Sequence, residues 1–234
     1  MQFIEYRSEE ALARQAADIA IEAIAQKPET LICPASGGSP VGTYAELARH
    51  RSRHPDFFRR ARMIQLDEWL GLSQDHPASC AFFMNRHLLK PLGLRGDQVF
   101  LFDGLADGRE SCRRAADFLS REGPIDLGIL GLGANGHLGF NEPGLRFSEG
   151  AHQADLEPGT REHAMVRGLS RKPTAGITLG IGDLLKARQL VLIVAGANKA
   201  GALQQLISGE ITPSLPASAL WRHERVTCLI PATR

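Results

Sequence analysis

The sequence predicts an α/β fold, built on a mostly parallel sheet with helices on both faces. Three observations point there. Short aliphatic runs alternate with amphipathic helical stretches along the chain. The runs are continuously apolar, as strands covered on both faces are. Several end in glycine-rich or acidic loops, the place where open α/β sheets bind ligands. At 234 residues, 43% hydrophobic and 23% charged, the chain suits one domain with a full core.

The first helix is expected over Glu9–Gln26, where Leu12, Ala16, Ile19, Ala23 and Ile24 form a stripe and Ser8 is placed to cap. Thr30–Pro34 is the first strand-like run, broken by Ser36–Pro40 before a helix from Val41. Met63–Leu66 is the second, ending at Asp67-Glu68. A helix over Ala78–Lys90, a run at Val99–Phe102 and a helix over Cys112–Leu119 follow. Asp126–Gly131 is a strand that leads into the most glycine-rich loop. Ile177–Leu179, Leu190–Val194 and Val226–Ile230 complete the strand candidates, with Lys199–Ile207 helical between the last two. The segment 145–173 is polar and weakly periodic, which fits a lid or a peripheral helix. Strand order is not legible.

A net charge of +1 argues against a dedicated nucleic-acid or membrane partner. The arginines at 49, 51, 53, 59, 60 and 62 read as a solvated face. Four widely spaced cysteines without a C-x-x-C pair fit reduced thiols. No leader pattern opens the chain, and the longest aliphatic run, Leu190–Ala195, is too short for a bilayer. A cytoplasmic protein is expected.

Three loops could share one crevice. Ser36-Gly37-Gly38-Ser39-Pro40 precedes a helix, so its backbone N–H groups and hydroxyls could hold an anion. A plain strand–turn–helix corner would use similar residues. Asp67-Glu68 places two carboxylates side by side, where repulsion and burial raise a pKa toward that of a general base. The alternative is one cap and one solvated group. In the third loop, Leu127–Pro143, Glu142 could orient His137 and fix its tautomer. Gly131, Gly133 and Gly136 spell a dinucleotide fingerprint, but that motif should open a helix, and Gly139, Pro143 and Gly144 follow instead. A metal at Asp67, His137 and Glu142 lacks H-E-x-x-H or cysteine spacing to support it.

Taken together, these pieces resemble the glucosamine-6-phosphate deaminase (isomerase) family. The matching stretches are SGGSPVGTY at Ser36–Tyr44, LDEWLGL at Leu66–Leu72, HPASC at His76–Cys80, GLGANGHLGFNEPG at Gly131–Gly144, ITLGIGDLL at Ile177–Leu185 and AGANKAGALQ at Ala195–Gln204. The resemblance implies a three-layer Rossmann-like fold, spanning residues 1–234 as one domain with the lid at 145–173. It implies conversion of a 2-amino-2-deoxyhexose 6-phosphate to the ketohexose 6-phosphate with release of ammonia and no cofactor. The class terms are isomerase, deaminase and hydrolase, and a homo-oligomer is compatible with it. Asp67 matches the base moving a proton between C2 and C1, His137 the residue assisting ring opening, and Glu142 its orienting partner. Asn135 stands where some members have aspartate. Ser36, Gly37, Gly38, Ser39 and Lys199 match the phosphate site, with Glu68 as a further substrate contact.

The chain departs from the pattern in its lid, where Ser148–His152 replaces a stretch whose arginine binds phosphate; Arg171 is the expected substitute. Its tail, PASALWRH at Pro216–His223, and its Asp-Glu-Trp look more like the galactosamine-6-phosphate isomerase branch. That puts galactosamine 6-phosphate ahead of glucosamine 6-phosphate. The alternatives are 6-phosphogluconolactonase, whose loop usually continues toward T-A-S-L-F-P, and a non-catalytic sugar-phosphate-sensing domain, normally preceded by a helix-turn-helix.

Overall fold

The central strands are apolar on both faces because helices cover both. In the computed structural model, which describes residues 1–232, seven strands form one parallel sheet in the order β1-β10-β9-β6-β2-β3-β5. These are β1 (Gln2–Tyr6), β2 (Leu31–Pro34), β3 (Arg62–Ile64), β5 (Val99–Phe100), β6 (Leu127–Gly131), β9 (Gln189–Ile193) and β10 (Val226–Pro231). Every residue of β2 is buried, as are the first four of β6. On one face pack α1 (Glu9–Gln26), α2 (Val41–Arg53), and the continuous run of α3 (Cys80–Met84), a π-helical turn (Asn85–Leu89) and α4 (Lys90–Leu92). On the other lie α5 (Gly108–Glu122), α7 (Ile181–Leu185), α8 (Ala200–Ile207) and the 3₁₀ segment Pro216–Arg222. The result is three layers.

Ser8 caps α1 as expected, its side chain accepting from the Ala11 N–H at 3.1 Å. α5 is longer than its apolar core suggests because Asp107 accepts from the N–H groups of Arg109 and Glu110. Two features depart from the sequence reading. A short strand, β4 (Asp67–Trp69), pairs antiparallel with β8 (Ala175–Thr178), and β8 with β7 (His152–Asp155). Ile177 and Thr178 therefore belong to a second, three-stranded sheet, and Asp67 opens a strand of it. Segment 145–173 carries β7 and the single turn α6 (Pro158–Arg161), so it is held by sheet pairing. The second departure is β1, an edge strand that pairs in parallel with β10.

From β2 the chain winds outward through β3 and β5, then returns to β6 and winds the other way. β2 and β6 are neighbours with crossovers diverging from them. The crevice at their carboxyl ends is the expected ligand position in an open α/β sheet. No helix among the described residues is long and apolar enough to cross a membrane.

Candidate active site

The loop after β2 turns at Gly37, whose φ of +104° suits glycine alone, and runs through Ser39 and Pro40 into α2. Tyr44, buried one turn into α2, donates its hydroxyl to Ala35 O at 2.5 Å and anchors the loop. Sequence reading treated Tyr44 only as part of a matching stretch.

Asp67 and Glu68 are both buried, but strand alternation sends them to different surroundings. Asp67 lines the crevice and accepts a hydrogen bond from Ser36 Oγ at 3.2 Å. Burial, then the neighbouring Glu68 charge, pushes its carboxyl up to about 7. Glu68 faces away. Its Oε1 accepts from the N–H groups of Trp69 (2.8 Å) and Cys80 (2.9 Å). Its Oε2 accepts from the Ala81 N–H (2.8 Å) and Gln65 Nε2 (3.0 Å). Burial raises the Glu68 pKa against those donors. Glu68, expected to touch substrate, instead ties β4 to the start of α3, because its alternation partner Asp67 takes the crevice side.

The loop after β6 folds the His137 ring onto Gly133, where any Cβ would overlap it. Gly136 (φ +85°) and Gly139 (φ +56°) make the turns around it. A Cβ on Gly139 would lie 2.6 Å from Thr178 Oγ1 and 3.4 Å from Asp67 Oδ2, so this glycine also makes room for the carboxylate. His137 Nδ1 lies 3.3 Å from Glu142 Oε2 and 3.3 Å from Thr160 Oγ1. Asn135 Nδ2 donates to Glu142 Oε2 at 2.9 Å, and Asn135 Oδ1 accepts from the His137 N–H at 3.2 Å. Burial raises the Glu142 pKa, but His137, Thr160 and Asn135 outweigh it and hold the carboxyl below its ordinary value. Glu142 thus stays ionised and fixes the ring.

Ser36, Asp67, Asn135 and His137 line one cavity of about 660 Å³, together with Gly37, Gly38, Ser39 and Lys199, and Glu142 stands behind His137. Lys199 ends the 3₁₀ turn Ala197–Lys199 after β9, and partial burial lowers its pKa. Segment 145–173 closes one wall with Thr160, His163, Met165 and Arg167. Arg171, expected to replace the lid arginine, is exposed and lies outside that lining. The turn after α6 brings Arg167 to the cavity instead. Neither Thr160 nor His163 stood out in sequence, because their roles depend on how the segment docks.

A family model described as glucosamine-6-phosphate isomerases/6-phosphogluconolactonase matches residues 6–229. The chain belongs to this family. A glucosamine-6-phosphate deaminase of Bacillus pumilus (strain SAFR-032) is 39% identical over 234 residues, 98% of this chain and 97% of that protein. Another, from Geobacillus sp. (strain WCH70), is 36% identical over 233 residues, 98% and 92% of the two chains. The solved structure of a monomeric glucosamine-6-phosphate deaminase superposes with a TM-score of 0.94 at 35% identity, covering 99% of this chain and 97% of that one. The 6-phosphogluconolactonase of Trypanosoma brucei reaches 0.74 at 19% identity, over 98% of this chain and 95% of that one, which marks a shared fold. The expected hydrolase class finds no support in these likenesses.

Proposed function

We propose that this protein is an amino-sugar-phosphate deaminase that converts glucosamine 6-phosphate to the ketohexose 6-phosphate and releases ammonia. The observation that carries it is a buried carboxyl, Asp67, on the wall of a cavity that also holds the Glu142-oriented His137, and burial pushes that carboxyl up to about 7. Such a carboxyl is a poised proton acceptor near neutral pH. His137 moves a proton between the ring oxygen and the C1 hydroxyl, opening the sugar, while Glu142 and Asn135 hold the imidazole. Asp67 then takes the C2 proton and returns it to C1, while a proton of the amine passes to the C1 oxygen. The imine left at C2 is resolved by water into the ketone and ammonia. The phosphate rests on the Ser36–Ser39 loop at the start of α2, with Lys199 and Arg167 supplying charge.

The glucosamine epimer leads because relatives 36–39% identical are named glucosamine-6-phosphate deaminase. Pro216–Ser218 of the tail are buried, with the Ala217 N–H donating to Gly136 O at 2.9 Å, and lie outside the cavity lining. The lid does bring an arginine, Arg167. Asp67 and Trp69 of the Asp-Glu-Trp stretch both line the cavity, and the Trp69 ring packs on Phe140 at 4.5 Å between centroids. One chain supplies every residue invoked, and the deaminase of similar structure is described as monomeric, so activity is proposed for the monomer. Free thiols at Cys33, Cys80, Cys112 and Cys228 favour the cytoplasm.

One assay decides between the readings. Ammonia release is measured from glucosamine 6-phosphate and galactosamine 6-phosphate at matched concentrations, beside hydrolysis of 6-phosphogluconolactone. Release from glucosamine 6-phosphate with the higher kcat/KM supports the proposal. Lactone hydrolysis without ammonia release refutes it, and binding of either sugar phosphate without turnover identifies a sensing domain.

A further inference from the structure

We propose that His163 is a specificity-determining residue for the phosphoryl group, its Nε2–H donating to a phosphate oxygen held over the Gly37 turn. The inference rests on the reading of this cavity as a sugar-phosphate site. His163 lies in the turn after α6 and lines the cavity. Its ring is seated beside Trp69, 6.0 Å between centroids with 38° between planes. Nδ1 accepts a hydrogen bond from the Met165 N–H at 3.3 Å, which leaves the single proton of the neutral ring on Nε2.

That Nε2 faces the phosphate loop. A Cβ built on Gly37 would lie 3.6 Å from His163 Nε2 and 3.8 Å from Cε1, the nearest atoms outside the loop. Arg167 follows one turn later, its N–H bonded to His163 O at 3.0 Å, and lines the same cavity. Burial, then the charges of His137 and Lys199, pushes the His163 imidazole down to about 4. The ring is therefore neutral around pH 7. Lys199 and Arg167 bring the charge a phosphate needs, and His163 adds a directed donor that repels neither of them. A partly buried donor of this kind discriminates sharply, because a sugar lacking the phosphate would leave it unpaired.

Inorganic phosphate, titrated calorimetrically into wild type, His163→Ala and His163→Gln, probes the contact without any reaction. The KM values for glucosamine 6-phosphate and for unphosphorylated glucosamine are measured in parallel. His163→Ala is expected to weaken phosphate and raise the KM of the phosphorylated sugar roughly ten-fold, the scale of one hydrogen bond to a charged group. The KM of the phosphorylated sugar should change more than that of unphosphorylated glucosamine, which makes no contact at Nε2. The Gln variant keeps an N–H donor and should recover most of the affinity. Wild-type phosphate affinity in His163→Ala, or an equal loss in both variants, overturns the assignment. A wild-type protein whose phosphate binding depends on His163 but which releases no ammonia supports it and refutes the deaminase reading instead.

Discussion

Alternation along β4 turns Asp67 toward the crevice and Glu68 toward α3, so two adjacent carboxylates meet different chemistry. Asp67→Asn removes the proton acceptor while keeping size and the Ser36 contact, and turnover should fall roughly 10²–10⁴-fold. In wild type, kcat/KM should drop as pH falls through about 7, where Asp67 becomes protonated. A profile with no inflection in that region would point to another base. Glu68→Gln should behave otherwise. It sets an NH₂ group against either the Trp69 and Cys80 N–H groups or the Ala81 N–H and Gln65 Nε2. Leaving such buried donors unpaired costs about 1–3 kcal/mol. Thermal melting should therefore show a clear loss of stability, and a Glu68→Gln protein that melts like wild type would count against this account. Sequence placed both carboxylates at the site but could not separate their duties, since the difference lies in which face of a three-residue strand each occupies.

At the scale of elements, the loops after β2 and β6 were legible because their glycines and polar residues sit next to each other in sequence. Gly133 shows why such glycines are required. An added methyl would overlap the His137 ring, a partly exposed side chain that would have to shift out of place. Gly133→Ala should thus cost little stability but about 10²-fold in turnover, the usual penalty for misplacing a reacting group by about an ångström. Matching losses of activity and of melting temperature would mean the loop itself collapses. The small sheet was not legible. Strands of three or four residues carry no periodicity, and β4 finds its partner β8 far along the chain. Segment 145–173 read as irregular for a related reason: β7 is mostly polar, with only Ala154 buried, and its pairing partner defines it. The same docking decides that Arg167, and not Arg171, reaches the cavity.

Across the whole molecule, the site sets a limit on stability. A carboxyl that titrates at about 7 folded and 3.8 in the free chain favours the folded state only when protonated. Its stabilising effect is complete below pH 3.8 and is lost as pH rises toward 7. Above that, the ionised Asp67 weighs against folding by as much as ~4 kcal/mol, at ~1.4 kcal/mol per tenfold change. Asp67→Asn should therefore melt several degrees above wild type at pH 8, with the gap closing near pH 4. An inactive variant with unchanged melting at pH 8 would show that the charge is relieved elsewhere.

The sheet also links β1, formed by residues 2–6, to β10, formed by residues 226–231. β1 carries no apolar run because it is a half-exposed edge strand of mixed residues, and its partner β10 is distant in sequence. During synthesis on the ribosome, Phe3 and Ile4 have no strand to join until residues 226–231 have emerged. Closure of this edge of the sheet is then a late step that joins distant parts of the sequence.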